Sequence, residues 1–140
     1  MIDENKQPGV KFDAIILTKE EFWRLPKLPE TIGLDLNMNS NISNSEENAS
    51  NELNTVLIGR AEDGNEVFKL DITFVGFFST IQGQENMNLI TFMNTNSAAL
   101  MFSYIREHVS SITMKSGMQP IILSPINVQA LVNSSKGKTC

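Results

Sequence analysis

Apolar residues recur at every second position in the first half of this chain and at every third or fourth in the second half. That change of period limits the fold more than any other feature. A period of two marks strands with one covered face, and a period near 3.6 marks an amphipathic helix. Ile32, Leu34, Leu36 and Met38 alternate with Gly33, Asp35, Asn37 and Asn39, the cleanest strand pattern in the sequence. Phe12, Ala14 and Ile16 alternate with Lys11, Asp13 and Ile15, which predicts a first strand over 11–18. Residues 53–60 predict a third strand, and Phe68, Leu70, Ile72 and Phe74 a fourth. Glu62-Asp63-Gly64-Asn65 is a turn that joins the last two as a hairpin. Pro26 and Pro29 remove backbone donors, so 24–31 reads as an extended connection. Residues 40–51 are nearly all Asn, Ser and Glu and are expected to be a solvated loop.

From Ala98 the apolar positions become Ala98, Met101, Phe102, Ile105, Val109 and Ile112, a helical stripe. Asn96 or Ser97 can cap its start. Gly117 suits the position after its end, with Pro120 as a stop. Asn127 to Asn133 predicts a second, short helix. Strands followed by helices give an α+β domain, with one long and one short C-terminal helix packed on one face of a four-stranded antiparallel sheet. The 140 residues suit a single domain spanning 1–140, with frayed ends at 1–10 and 134–140.

The composition excludes several functions. One Cys makes neither an internal disulfide nor a thiolate zinc site. A net charge of -5 offers no footprint for nucleic acid or an anionic membrane. No run of about 18 apolar residues is present, so no membrane insertion is expected. The start, Met1-Ile2-Asp3-Glu4-Asn5-Lys6, has no basic region followed by an apolar one, which points to the cytoplasm. His108 beside Glu107 reads as a surface or interface histidine, and Cys140 as a frayed thiol. Glu20-Glu21 and Glu46-Glu47 read as charged surface rather than metal ligands, and no phosphate-binding glycine loop occurs. No catalytic residue, metal or cofactor is expected. What remains is an apolar surplus: Phe74, Phe77, Phe78, Leu89, Ile90, Phe92, Met93, Met114 and Met118. These fill a core, an oligomer interface or a groove for apolar segments.

The motif Met101-Phe102-Ser103-Tyr104-Ile105-Arg106-Glu107 resembles the helix start of the SecB export chaperones. The segment from Gly117-Met118-Gln119-Pro120 through Ser124-Pro125-Ile126-Asn127 to Leu131 is similar to the family's segment after that helix. Leu17-Thr18-Lys19-Glu20, Ile32 to Leu36 and Asp71 to Phe78 resemble parts of its first, second and fourth strands. The resemblance covers residues from about 11 to 133. It implies an ATP-independent holdase for precursors on their way to the SecA motor. It also implies a homo-oligomer, a dimer of dimers, with Met101, Ile105, Val109 and Ile112 of the long helix at the interface. Ile32, Leu34 and Leu36 match positions linked with client binding, and Phe77 and Phe78 come next in the fourth strand. Glu20 and Asp71 match two acidic SecA-contact positions. A third is Arg24 here, and a neighbouring apolar one is Lys69; both weaken attraction to a basic partner. The family's longer acidic tail has no match beyond Leu131. Some relatives serve one antitoxin client, and a non-chaperone adaptor that keeps the fold is the other alternative.

Overall fold

Four long alternating segments and one helical stripe build a single face-to-face packing. The computed structural model describes residues 9–81 and 88–124. The strands are β1 (Val10–Arg24), β2 (Gly33–Asn44), β3 (Asn48–Arg60) and β4 (Glu66–Thr80). The helices are α1 (Leu89–Thr95) and α2 (Ser97–Lys115). The sheet is antiparallel throughout, in the order β1-β4-β3-β2. The chain therefore leaves β1 at one edge and crosses through residues 25–32 to β2 at the other.

The β3–β4 turn is the expected one. Gly64 has φ 88°, and its N–H donates to Ala61 O at 2.9 Å. That positive φ would strain any residue with a Cβ. The solvated loop expected over 40–51 is instead the tight hairpin of β2 and β3, with only Ser45 to Glu47 between the strands. Backbone pairing continues from Ser40↔Leu53 to Asn44↔Ala49 because a ladder needs main-chain groups rather than apolar side chains. Ser40 Oγ donates to Asn51 Oδ1 at 2.6 Å, and Asn51 Nδ2 donates to Ser97 Oγ at 2.9 Å. Ser97 Oγ donates in turn to Met93 O at 2.6 Å. This chain of bonds ties the hairpin to α1 and the start of α2. Asn51 is wholly buried, so Asn51→Ala would take the acceptor from half-buried Ser40 and the donor from buried Ser97, which keeps only its bond to Met93 O. The expected cost is about 1–3 kcal/mol, read as a lower urea midpoint at unchanged slope.

β1 departs from the expected parity. Its register shifts between Phe12 and Ala14, and again between Leu17 and Lys19. Each irregularity moves the following side chains to the other face. Phe12 faces the helices, Ala14 and Ile16 face away, and Glu20, Phe22 and Arg24 face the helices again, opposite Ile72, Leu70 and Phe68.

The core lies between the helices and one face of the sheet. Leu53, Leu57, Phe68, Leu70 and Ile72 are buried against Met101, Ile105 and Val109. The helix approaches so closely at Gly76 that a Cβ there would sit 2.8 Å from Met101 Sδ. This corrects the expected oligomer interface. Met101, Ile105 and Val109 are fully buried in their own subunit, and Ile112 packs beside them half-buried. The stripe is the face of α2 that covers the sheet, so it is not open to a second copy. The outward face of α2 carries Leu100, Tyr104 and Met114, each exposed.

Asn96 occupies the N-cap of α2 but makes no side-chain cap bond. At the other end Gly117, at φ 86°, follows the C-cap Ser116. Gly117 N donates to Met114 O at 3.0 Å and Met118 N to Thr113 O at 3.1 Å, a Schellman closure. The seven-residue α1 is absent from the sequence expectation; its start is capped by Asn88 Oδ1, which accepts from Ile90 N at 2.9 Å. The short helix expected at 127–133 and the frayed end at 134–140 lie outside the described residues, as does most of 1–10.

Candidate binding groove

The crossover and the segment after α2 stand on either side of β2 and β4, and the space between them is a groove. One wall is Leu28, Pro29, Glu30, Ile32 and Leu34; the other is Met118, Gln119 and Ile121. Phe68, fully buried, is the floor. The cavity measures about 340 Å³. Local chemistry explains both walls. Pro26 and Pro29 keep the crossover extended, while Leu25 N donates to Val67 O at 2.9 Å and holds its start to β4. The opposite wall is set by the turn at Gly117 and by Ile121 N, which donates to Thr113 Oγ1 at 2.9 Å. Thr113 Oγ1 itself donates to Val109 O at 2.8 Å, so the hydroxyl joins the wall to the helix.

Apart from Glu30 the lining carries no titratable side chain. Glu30 has no second titratable group beside it in the lining, so the groove holds no acid–base pair. It can take apolar side chains from a flexible or extended partner, gaining about 25 cal/mol per Å² of apolar surface covered. Among the described residues, no group of three or more His, Cys, Asp or Glu is placed to hold a metal ion.

The expected client-binding residues divide among three environments. Ile32 and Leu34 line the groove, and Leu34 is 49% exposed within it. Leu36 lies further along the same face, paired with Leu57 and half-buried against the core. Phe77 points out of the opposite face of the sheet, 40% exposed. Phe78 is 1% exposed and stacks on Phe12 with ring centroids 4.6 Å apart, so it is a core residue. Adjacent strand residues face opposite ways, so Phe77 and Phe78 cannot serve one surface. Leu28, Phe68 and Ile121 were not expected at a site, and Met118 was expected only as one of the surplus apolar residues for a core, an interface or a groove. The proline pair and the Gly117–Pro120 turn were the sequence signals for the two walls.

Glu20 and Asp71 do not share a surface either. Glu20 faces the helices, its Oε1 2.6 Å from His108 Nε2, while the His108 ring meets Phe74 edge-on. Asp71 faces the other way. It accepts from Lys19 Nζ at 3.2 Å and from Asn54 Nδ2 at 2.8 Å, with its side chain 17% accessible. Burial opposes ionisation of Asp71. The hydrogen bonds from Asn54 and Lys19 and the charges of Lys19 and Lys69 outweigh it and hold the carboxyl below the ordinary aspartate range. A depressed carboxyl stabilises the fold above its unfolded value, near pH 4, and loses that contribution as pH falls through the folded value. Asp71→Asn is therefore expected to narrow its stability deficit relative to the wild type below about pH 4, measured by thermal melts across pH.

Comparison with known proteins agrees with this architecture. The family model described as SecB, preprotein translocase subunit SecB, matches residues 18–139. A protein of Methanocaldococcus jannaschii, uncharacterized protein MJ0357, is 30% identical over 131 residues, covering 89% of this chain and 83% of its own. The protein-export protein SecB of Rickettsia massiliae is 30% identical over 109 residues, covering 76% of this chain and 70% of its own. Among solved structures, the Mycobacterium tuberculosis Rv1957 SecB-like chaperone, in complex with a ChAD peptide from the Rv1956 HigA1 antitoxin, superposes with a TM-score of 0.69. It is 18% identical and covers 82% of this chain and 88% of that one. The four-stranded antiparallel sheet with its long helix is thus the SecB-like fold, and with the family match over residues 18–139 the chain belongs to the SecB family.

Proposed function

We propose that this protein is an ATP-independent holdase. It binds non-native polypeptides, precursors for Sec-dependent export in the first place, and keeps them from aggregating in the cytoplasm. The observation that supports this reading most is the open groove floored by Phe68, whose wall residue Leu34 is left exposed by its own chain. A folded protein gains nothing from such a surface unless a partner covers it. Non-directional burial also suits many client sequences, because it reads apolar area rather than hydrogen-bond pattern.

Assembly as a dimer of dimers goes with this reading. The exposed Leu100, Tyr104 and Met114 on the outer face of α2 are the candidates for a helix-mediated contact. Several grooves in one particle would bind one extended client through multiple weak contacts. For a SecA-type partner, both acids have partners within the chain, and Asp71 is the one on the outer face of the sheet, so Asp71 is the residue to test. A second reading, a chaperone dedicated to one antitoxin client, is favoured by the fold shared with the Rv1957 chaperone, which was solved with an antitoxin peptide.

The test is suppression of light scattering by a chemically unfolded model protein diluted into buffer without nucleotide. Protection by stoichiometric amounts of the chain is expected. No protection at several-fold excess would leave the adaptor reading. Protection of a cognate antitoxin but not of unrelated clients would favour the dedicated one.

A further inference from the structure

The two walls of the groove come from parts of the sequence about ninety residues apart, and one side chain bonds to the base of both. Arg24, the last residue of β1, faces the helices opposite Phe68. Its Nε donates to Leu25 O at 2.9 Å and its Nη2 to Pro26 O at 3.1 Å, both at the start of the crossover. Its Nη1 donates to Ser116 O at 2.8 Å, at the C-cap of α2. A Cβ on Gly117 would lie 3.9 Å from the same Nη1, so the guanidinium also sits against the turn that starts the second wall.

Resting on the groove as the client site, we infer that Arg24 is a positioning residue for client binding, the latch that fixes the distance between the two walls. The chemistry suits that task. The Ser116 carbonyl lies at the negative end of the α2 dipole, where a cation is favoured. The planar fork can reach three carbonyls in divergent directions at once, which a lysine ammonium on a flexible stem does not hold in fixed geometry. A free crossover, extended by two prolines and joined to the sheet at Leu25, would otherwise be able to swing away from Met118 and Ile121. Fixing it beforehand spares the client the ordering cost of closing the groove. The position that the family resemblance assigns to an acidic partner surface holds, in this chain, an arginine occupied within the subunit.

The experiment compares Arg24→Lys and Arg24→Gln with the wild-type chain and with Leu34→Asp as a groove control. The client is a fluorescein-labelled, reduced and carboxymethylated model protein that stays unfolded. Stopped-flow release is expected to be about tenfold faster in Arg24→Gln, the size of one charge-assisted hydrogen bond. Arg24→Lys keeps the charge near the dipole, so its melting temperature should stay close to wild type while release remains fast. Hydrogen exchange should quicken at residues 27–32 and 118–121 and stay unchanged along β3. Wild-type release from Arg24→Gln, full rescue by lysine, or uniformly faster exchange throughout the chain would each overturn the latch. If Leu34→Asp holds the client as well as wild type, it is the groove itself that fails as the client site.

Discussion

A Leu34→Asp variant is expected to fold and to lose most of its hold on an unfolded client. Leu34 is 49% exposed at the start of β2, so its own chain gains little from it. Covering a leucine fully is worth about 1.5–3 kcal/mol, and a carboxylate in its place must be desolvated by any apolar segment that enters. A loss of roughly 10- to 100-fold in affinity per groove is expected at about 1.4 kcal/mol per decade. In an assembly with several grooves the losses compound, so aggregation suppression should vanish while the melting temperature stays within a few degrees. Phe77→Asp is the informative comparison. Phe77 is equally exposed in kind but stands on the other face of the sheet. It should leave binding in the groove intact, and loss of holding by Phe77→Asp alone would place the client on the outer face.

The largest expected effect on stability is that of Phe68→Ala. The Phe68 ring lies directly over Gly59 of the neighbouring strand, so close that a Cβ on Gly59 would fall 2.1 Å from its Cε2. The absence of a side chain at Gly59 makes room for the ring, and the ring covers the backbone that glycine leaves bare. Truncation to alanine removes a fully buried aromatic and opens a cavity beneath the groove, at about 3–5 kcal/mol. That is a large part of the roughly 5–15 kcal/mol typical of a domain. A melting point lower by roughly 10 °C or more, by scanning calorimetry, is expected. The floor should also drop, so client affinity falls even at temperatures where the variant is folded. Restoring bulk from the other side, as Gly59→Val in the Phe68→Ala background, is expected to recover part of the loss, whereas Gly59→Val alone clashes and destabilises. Simple addition of the two single effects would refute the paired-fit account.

Much of this was legible in the sequence, for identifiable reasons. Ile32 to Met38 announced β2 because one of its faces is covered and the other wet, which is what alternation encodes. The stripe from Ala98 to Val109 announced α2 with its cap position and Gly117. Its partner was misread. An apolar stripe says that something is covered, and in this chain it is the subunit's own sheet. Residues 40–51 were illegible as strand because Asn and Ser have low β propensity; their pairing comes from the hairpin geometry and from Asn51 finding Ser40 and Ser97. Two of the nine groove-lining residues, Ile32 and Leu34, were legible through resemblance. Met118 stood out only as apolar surplus, and Ile121 and Phe68 were not placed at a site, because a groove made of three distant segments leaves no local pattern. Phe78 was separable from Phe77 by strand period alone once the fourth strand was extended to Thr80.

The irregularities in β1 tie the groove to the length of the chain as well as to its residues. Glu20, Phe22 and Arg24 face inward because the register slips between Leu17 and Lys19. Thr18 is the extra residue at that slip, so deleting it would leave Lys19 opposite Thr73 and Arg24 opposite Phe68 in a regular ladder, with Arg24 still facing inward. Asp13 and Thr18, each passed over by the ladder, are thus places where the loss of one residue can be absorbed without turning Arg24 outward. Among descendants of this gene, one-codon deletions should survive more often at Asp13 or Thr18 than in the fully paired run from Lys19 to Arg24.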